Sequence, residues 1–188
     1  MDSRVKGTGM QLGFTLAAIL IVFYLFVYIS DYTYMTSTIT GFLLIFFCII
    51  FGLTAPYLAK RRLGGLITFK NAFVPYFLTV VIGVLLSTMF IYVLYGVIDT
   101  ETGGKIHQEM IKLSKQQAIN FDMPKEQAEQ SLEIVKQANP YSIEQMLMSA
   151  GTRILMLCVP GFIAALAFKN ISEPLQSREE VNQNTPNN

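Results

Sequence analysis

Long stretches without a charged residue alternate along the chain with short polar ones. Residues 7–30, 32–59 and 71–98 hold no charge, and a fourth apolar run, residues 143–168, carries Arg153 inside it. A helix needs about 20 apolar residues to cross roughly 30 Å of hydrocarbon. The pattern therefore predicts four transmembrane helices, at residues 9–30, 37–60, 72–98 and 143–168. The first run is longer than the apolar region of a signal peptide and no A-x-A site follows it, so it reads as an uncleaved span.

Between the third and fourth spans the pattern changes. Residues 99–142 are polar, with two narrow apolar stripes at helical spacing: Ile106, Met110 and Leu113, then Ala128, Leu132 and Val135. These predict two short amphipathic helices. Gly103-Gly104 is expected to break the chain before the first, and Pro124 to take the first helical position of the second. The fold class read from this pattern is an all-α integral membrane protein: four transmembrane helices with an extracytoplasmic helical hairpin between the third and fourth.

Charge then orients the spans. Lys60, Arg61, Arg62 and Lys70 cluster around residues 61–71 with no acid among them. Lysines and arginines are held back on the cytoplasmic side, so this cluster reads as a topology anchor. Arg4 and Lys6 before the first span and Lys169 after the last agree with it. Residues 1–8, the basic loop 61–71 and a disordered tail at 169–188 are expected in the cytoplasm. The segment 99–142, with five lysines counted to Glu144 against eight acids, is expected outside.

Local signals refine this layout. Gly64 and Gly65 suit a helix C-terminus that needs positive φ. Leu66, Phe69 and Phe73 predict a short amphipathic lead-in along the inner surface, and Pro75 a start or kink near Asn71. Small residues recur every four positions at Gly9, Gly13 and Ala17, at Ser37 and Gly41, at Gly83 and Ser87, and at Gly161 and Ala165. Such stripes let helices approach closely in lipid. The tyrosines, including Tyr28, Tyr92, Tyr95 and Tyr141, read as interface markers.

Arg153 is the one charge well inside a span. Ser142 and Gln145 form an S-x-x-Q capping box, so the fourth helix is expected to begin near Ile143. The helical rise puts Arg153 about 6 Å inside the outer boundary. A side chain there leans outward, which lowers its cost below the roughly 2.5–3.5 kcal/mol of a mid-membrane charge. The structural reading is a snorkelling arginine in an outer-interface ion pair with Asp99 or Asp31. The functional one is a substrate or proton site.

Composition narrows the chemistry. Of 188 residues, 52% are apolar and 14% charged, and the net charge of +1 gives no field for nucleic acid. Cys48 and Cys158 lie in apolar runs, with no CxxC pair. His107 stands alone, and Glu126, Glu129 and Glu133 read as a solvated face. No phosphate loop, nucleophile elbow or metal-ligating pattern is present. No catalytic residue and no cofactor are expected.

The stretch "GGLITFKNAF" at 64–73, the third span ending "YVLYGVID" at 92–99, the helical insert and the final span followed by lysine resemble a family of small bacterial membrane proteins, domain of unknown function 4199, found mainly in Bacteroidetes. The specific element is Gly65, Ile67, Thr68, Phe69, Ala72 and Phe73. The resemblance implies a bacterial inner membrane and supports four spans; it supplies no activity. The functional expectation is a non-enzymatic accessory or scaffold protein in the lipid bilayer, meeting a membrane-protein partner through residues 105–138. The alternative is a small transporter or channel component with Arg153 near an outward-facing cavity.

Overall fold

The computed structural model of the chain describes residues 3–169, so the predicted tail lies outside the described residues apart from Lys169. Six α-helices follow in order: α1 (Ser3–Ser30), α2 (Thr38–Arg62), α3 (Phe69–Ile91), α4 (Thr100–Asn120), α5 (Lys125–Gln137) and α6 (Ile143–Phe168). A 3₁₀ turn, Tyr32–Thr36, links α1 to α2, and a π-helical segment, Tyr92–Ile98, extends α3. There is no strand among the described residues. The helices α1, α2, α3 with its extension, and α6 are each long and apolar enough to cross a membrane. The chain is an all-helical multi-pass membrane protein.

The bundle is organised around α3, which packs on α1, α2 and α6. Lipid tails are as apolar as leucine, so close backbone approach rather than apolar burial holds such helices together. The α1–α3 contact shows how. A Cβ on Gly9 would stand 2.8 Å from the Pro75 backbone, and one on Gly13 would stand 2.8 Å from Ile82 Cβ. Across the same interface the Thr79 hydroxyl lies 2.8 Å from the Pro75 carbonyl and 3.1 Å from that of Gly9. The faces turned away from α3 stay apolar but exposed: Val22, Phe26 and Ile29 on α1, Phe42 and Phe46 on α2, Leu155, Met156 and Ile163 on α6. Such a girdle is the surface that lipid covers.

Four local expectations are corrected. The pair Gly103-Gly104 does not break the chain; α4 runs through it from Thr100. The Asp99 side chain caps that helix by accepting from the Thr102 amide at 3.0 Å. Gly103 serves close approach instead, since a Cβ there would meet the Tyr95 carbonyl at 2.6 Å. Second, Pro124 is the N-cap of α5 and not its first helical residue. Third, no separate lead-in precedes α3. Thr68 caps the helix at Phe69, so Phe69 and Phe73 already belong to it, where their rings stack at 6.0 Å. Fourth, a Cβ on Gly41 would meet nothing within 4 Å, so no neighbouring helix approaches closely there and the Ser37–Gly41 stripe does not serve close helix packing.

The glycine terminus of α2 forms as its sequence requires. Gly64 and Gly65 have φ of +79° and +96°, and the Gly65 amide returns to the Lys60 carbonyl at 3.0 Å.

Candidate functional site

The two ends of the bundle differ. At the basic end the helices close on one another. Val5, Ala59, Ile67, Ala72 and Ala165 form a compact cluster. The Lys60 ammonium donates to the Phe168 carbonyl at 3.3 Å, capping the C-terminus of α6. Arg62 Nη1 donates to the Thr8 hydroxyl at 2.8 Å. Half of the cationic cluster therefore ties helices together, which its sequence did not disclose; Arg61 and Lys70 are exposed. Farther along, Tyr76 plugs the bundle. Its ring fits against Gly52 of α2 and Gly161 of α6, and its hydroxyl donates to the Leu157 carbonyl at 2.7 Å.

At the other end the four long helices spread around a cavity of about 430 Å³. Tyr24 of α1, Gly41 and Leu44 of α2, Thr88 and Ile91 of α3, and Arg153 of α6 line it from the bundle. His107 and Met110 of α4 and Val135 of α5 line it from above. This volume is within the range of small-ligand pockets.

The roof is fixed by specific contacts. Asp99 caps α4 and also accepts from the Tyr28 hydroxyl at 3.0 Å, tying the start of α4 to α1. The Thr102 amide, with Tyr28 assisting, holds the Asp99 carboxyl below the ordinary aspartate value. Ile106 is fully buried beneath α4. His107 Nε2 lies 2.7 Å from the Val135 carbonyl; a carbonyl only accepts, so this nitrogen carries the proton and joins α4 to α5.

Arg153 is half-buried on the wall of this cavity, about 15 Å along α6 from Ile143 by the helical rise. The expected ion pair is not formed. Asp99 is committed to Thr102 and Tyr28. Asp31 accepts from the Thr33 amide at 2.9 Å, which caps the 3₁₀ turn and holds its own carboxyl low. No described carboxylate lies within ion-pairing distance of Arg153, and none lines the cavity; the ion pairs on α4 are Lys105–Glu101 and Lys112–Glu109. Tyr24 shares the cavity wall with Arg153. The reason is rotational. Both aspartates cap the element that follows them, which turns their carboxylates onto local amides.

A guanidinium with no anionic partner is costly in a low-dielectric wall unless water or a bound anion reaches it. The cavity supplies that access. Apart from Arg153, the charged or polar side chains on its walls are neutral hydroxyls and amides together with His107. The arrangement can bind an anionic group; among the described residues, no three His, Cys, Asp or Glu side chains gather to hold a metal.

Sequence reading missed Tyr24, which reads there as one more apolar aromatic. Its signal is its place on the buried face of α1 with Leu16, Leu20 and Val27. Residues 11–170 of the chain match the family described as "Protein of unknown function (DUF4199)". No curated protein and no solved structure matches the chain.

Proposed function

The chain belongs to the DUF4199 family, whose description names no activity, and we propose from the cavity itself that this membrane protein binds the anionic head of an amphiphile. The observation that carries the reading is Arg153, a permanent cation without a carboxylate partner among the described residues, on the wall of a cavity of about 430 Å³. The guanidinium attracts one negative group and offers it a planar fork of donors. Tyr24, Thr88 and Ser149 add neutral donors. Leu44, Ile91, Met110 and Met146 provide the apolar wall that an adjoining chain requires.

The role is non-enzymatic: capture or passage of the amphiphile, which belongs with the transporter-like alternative. With the cationic cluster at Lys60, Arg61, Arg62 and Lys70 in the cytoplasm, both chain ends lie inside and the cavity opens toward the outer face. On the family resemblance, the membrane we propose is the bacterial inner one.

Binding of oleate, a monoanion, compared with oleyl alcohol, its neutral counterpart, tests the proposal by titration calorimetry of the purified protein in detergent. Oleate is expected to bind and the alcohol to bind at least about tenfold more weakly, the equivalent of one charge-assisted contact. Arg153→Gln is expected to remove the difference while Arg153→Lys keeps part of it. Equal binding of both probes by the unaltered protein rejects the reading.

A second reading rests on a different surface. Ile119 and Phe121, each 75% exposed, and Met123 stand together at the turn between α4 and α5. An apolar tip on a polar helical pair supports an accessory subunit that meets a membrane-protein partner through residues 105–138. Crosslinking from position 121 in native membranes tests it; capture of this chain alone counts against it.

A further inference from the structure

The cavity beside Arg153 is not evenly enclosed. Toward α1, α3 and one face of α6 its lining is buried: Tyr24 is 4% exposed, Ile91 7% and Ala150 1%. Its exposed lining residues are Gly41 on α2, Gln145 and Ser149 on α6, and Ile134 on α5. The chamber is therefore open on the side where α2 and α6 face each other. Farther toward the basic end that side is shut, because the Tyr76 ring lies against both Gly52 of α2 and Gly161 of α6.

The mouth adjoins the lipid-covered surface. α2 starts at Thr38 and α6 at Ile143, both at the cavity end. By the helical rise Gly41 lies about 4.5 Å and Ser149 about 9 Å along their helices. Beside them Phe42 and Ile45 on α2, and Leu147 and Met148 on α6, are exposed members of the apolar girdle. Gly41 itself is needed neither for close packing, since a Cβ there would meet nothing within 4 Å, nor for a positive φ. A glycine inside a helix weakens it relative to alanine. What Gly41 supplies is a stretch of α2 without side-chain bulk at the mouth.

We propose that the gap between α2 and α6 is a lateral portal for the apolar chain of a membrane-resident amphiphile, with Gly41 and Ser149 setting its width. The inference rests on the anion-binding reading of Arg153 and adds the class of ligand: a lipid that reaches the site from the adjoining leaflet, not a small anion from water. The anionic head lies in the chamber at Arg153, whose side chain leans toward the start of α6 and so toward the level of Ser149. The chain leaves between α2 and α6 into the bilayer.

The full-length protein in phosphatidylcholine nanodiscs tests this in two ways. The chain contains no tryptophan, so Gly41→Trp carries its sole indole. The emission of that variant is expected to be quenched by brominated phosphatidylcholine and spared by iodide, as in the outward-facing control Phe42→Trp. Quenching by iodide and not by brominated lipid would show a mouth that opens to water, and overturns the portal. Binding of two permanently charged anions is then compared by titration calorimetry. Hexanesulfonate is short enough for a chamber of about 430 Å³, whereas the chain of hexadecanesulfonate has to pass the mouth. Gly41→Trp and Ser149→Trp are each expected to shift the preference about tenfold toward the short anion, the equivalent of about 1.4 kcal/mol. Phe42→Trp is expected to leave the preference where it is, and circular dichroism of each variant verifies the helical fold. A preference unmoved by both mouth variants, or an equal loss of both anions, overturns the portal. Arg153→Gln separates the two readings. Weaker binding of both sulfonates in that variant keeps the anion site when the portal fails; unchanged binding of both removes the anion site and the portal with it.

Discussion

The Tyr76 hydroxyl donates to the Leu157 carbonyl at 2.7 Å, three residues before Pro160, and the ring that carries it occupies the hollow between Gly52 and Gly161. One side chain of α3 thereby joins α2 to α6 and seals the bundle between its basic end and the cavity. Substituting Gly161→Val pushes a branched side chain into that ring. Overpacking of this kind costs about 1–3 kcal/mol. A lowered thermal midpoint in detergent is expected, partly restored by adding Tyr76→Ala. An unchanged midpoint in the single variant would show that the ring does not fill this space.

Glycines of similar appearance are expected to respond in opposite directions. At Gly9 a Cβ meets the Pro75 backbone, which cannot rotate aside, so Gly9→Ala separates α1 from α3 and destabilises. At Gly41 a Cβ would meet nothing within 4 Å, and Gly41→Ala is expected to be neutral or to stabilise by up to about 0.5–1 kcal/mol through helix propensity. Thermal unfolding of the two variants checks the sign; a loss at Gly41 equal to that at Gly9 refutes it.

The cap on α4 makes its first turn sensitive to acid. Hydrogen bonds from Thr102 and Tyr28 lower the Asp99 value below its ordinary 3.8. A lowered native value means that the carboxylate stabilises the fold fully above the ordinary value, and that this contribution is lost as pH falls through the native one. Amide exchange at Thr102 and Gly103 is expected to accelerate over that acid range. Asp99→Asn removes the titration and should flatten the profile. The same acid response in both proteins would assign it to another group.

Orientation has a direct check. In a background with Cys48→Ala and Cys158→Ala, a membrane-impermeant maleimide added to intact cells is expected to label Asn120→Cys and to spare Arg62→Cys. Labelling of both from outside would overturn the placement of the cationic cluster in the cytoplasm and of the cavity toward the outer face.

Much of this protein follows from its sequence alone because the controlling forces are local or set by the solvent. Runs free of charge over more than 20 residues form helices where lipid offers no hydrogen bonds. Ser142 caps the helix that begins one residue later, accepting from the Gln145 amide at 3.3 Å, and Gly64-Gly65 ends the helix that precedes it, because caps act within a few residues. The surroundings of Arg153 were not legible in that way. Tyr28 and Asp99 are 71 residues apart, and Tyr76 and Leu157 are 81 apart. Which carboxylate is already committed, which glycine meets a ring and which meets open space depend on how the helix faces rotate against one another. A run of apolar residues looks alike on every face, so only the packed bundle decides that the arginine lines a cavity with no described acid beside it.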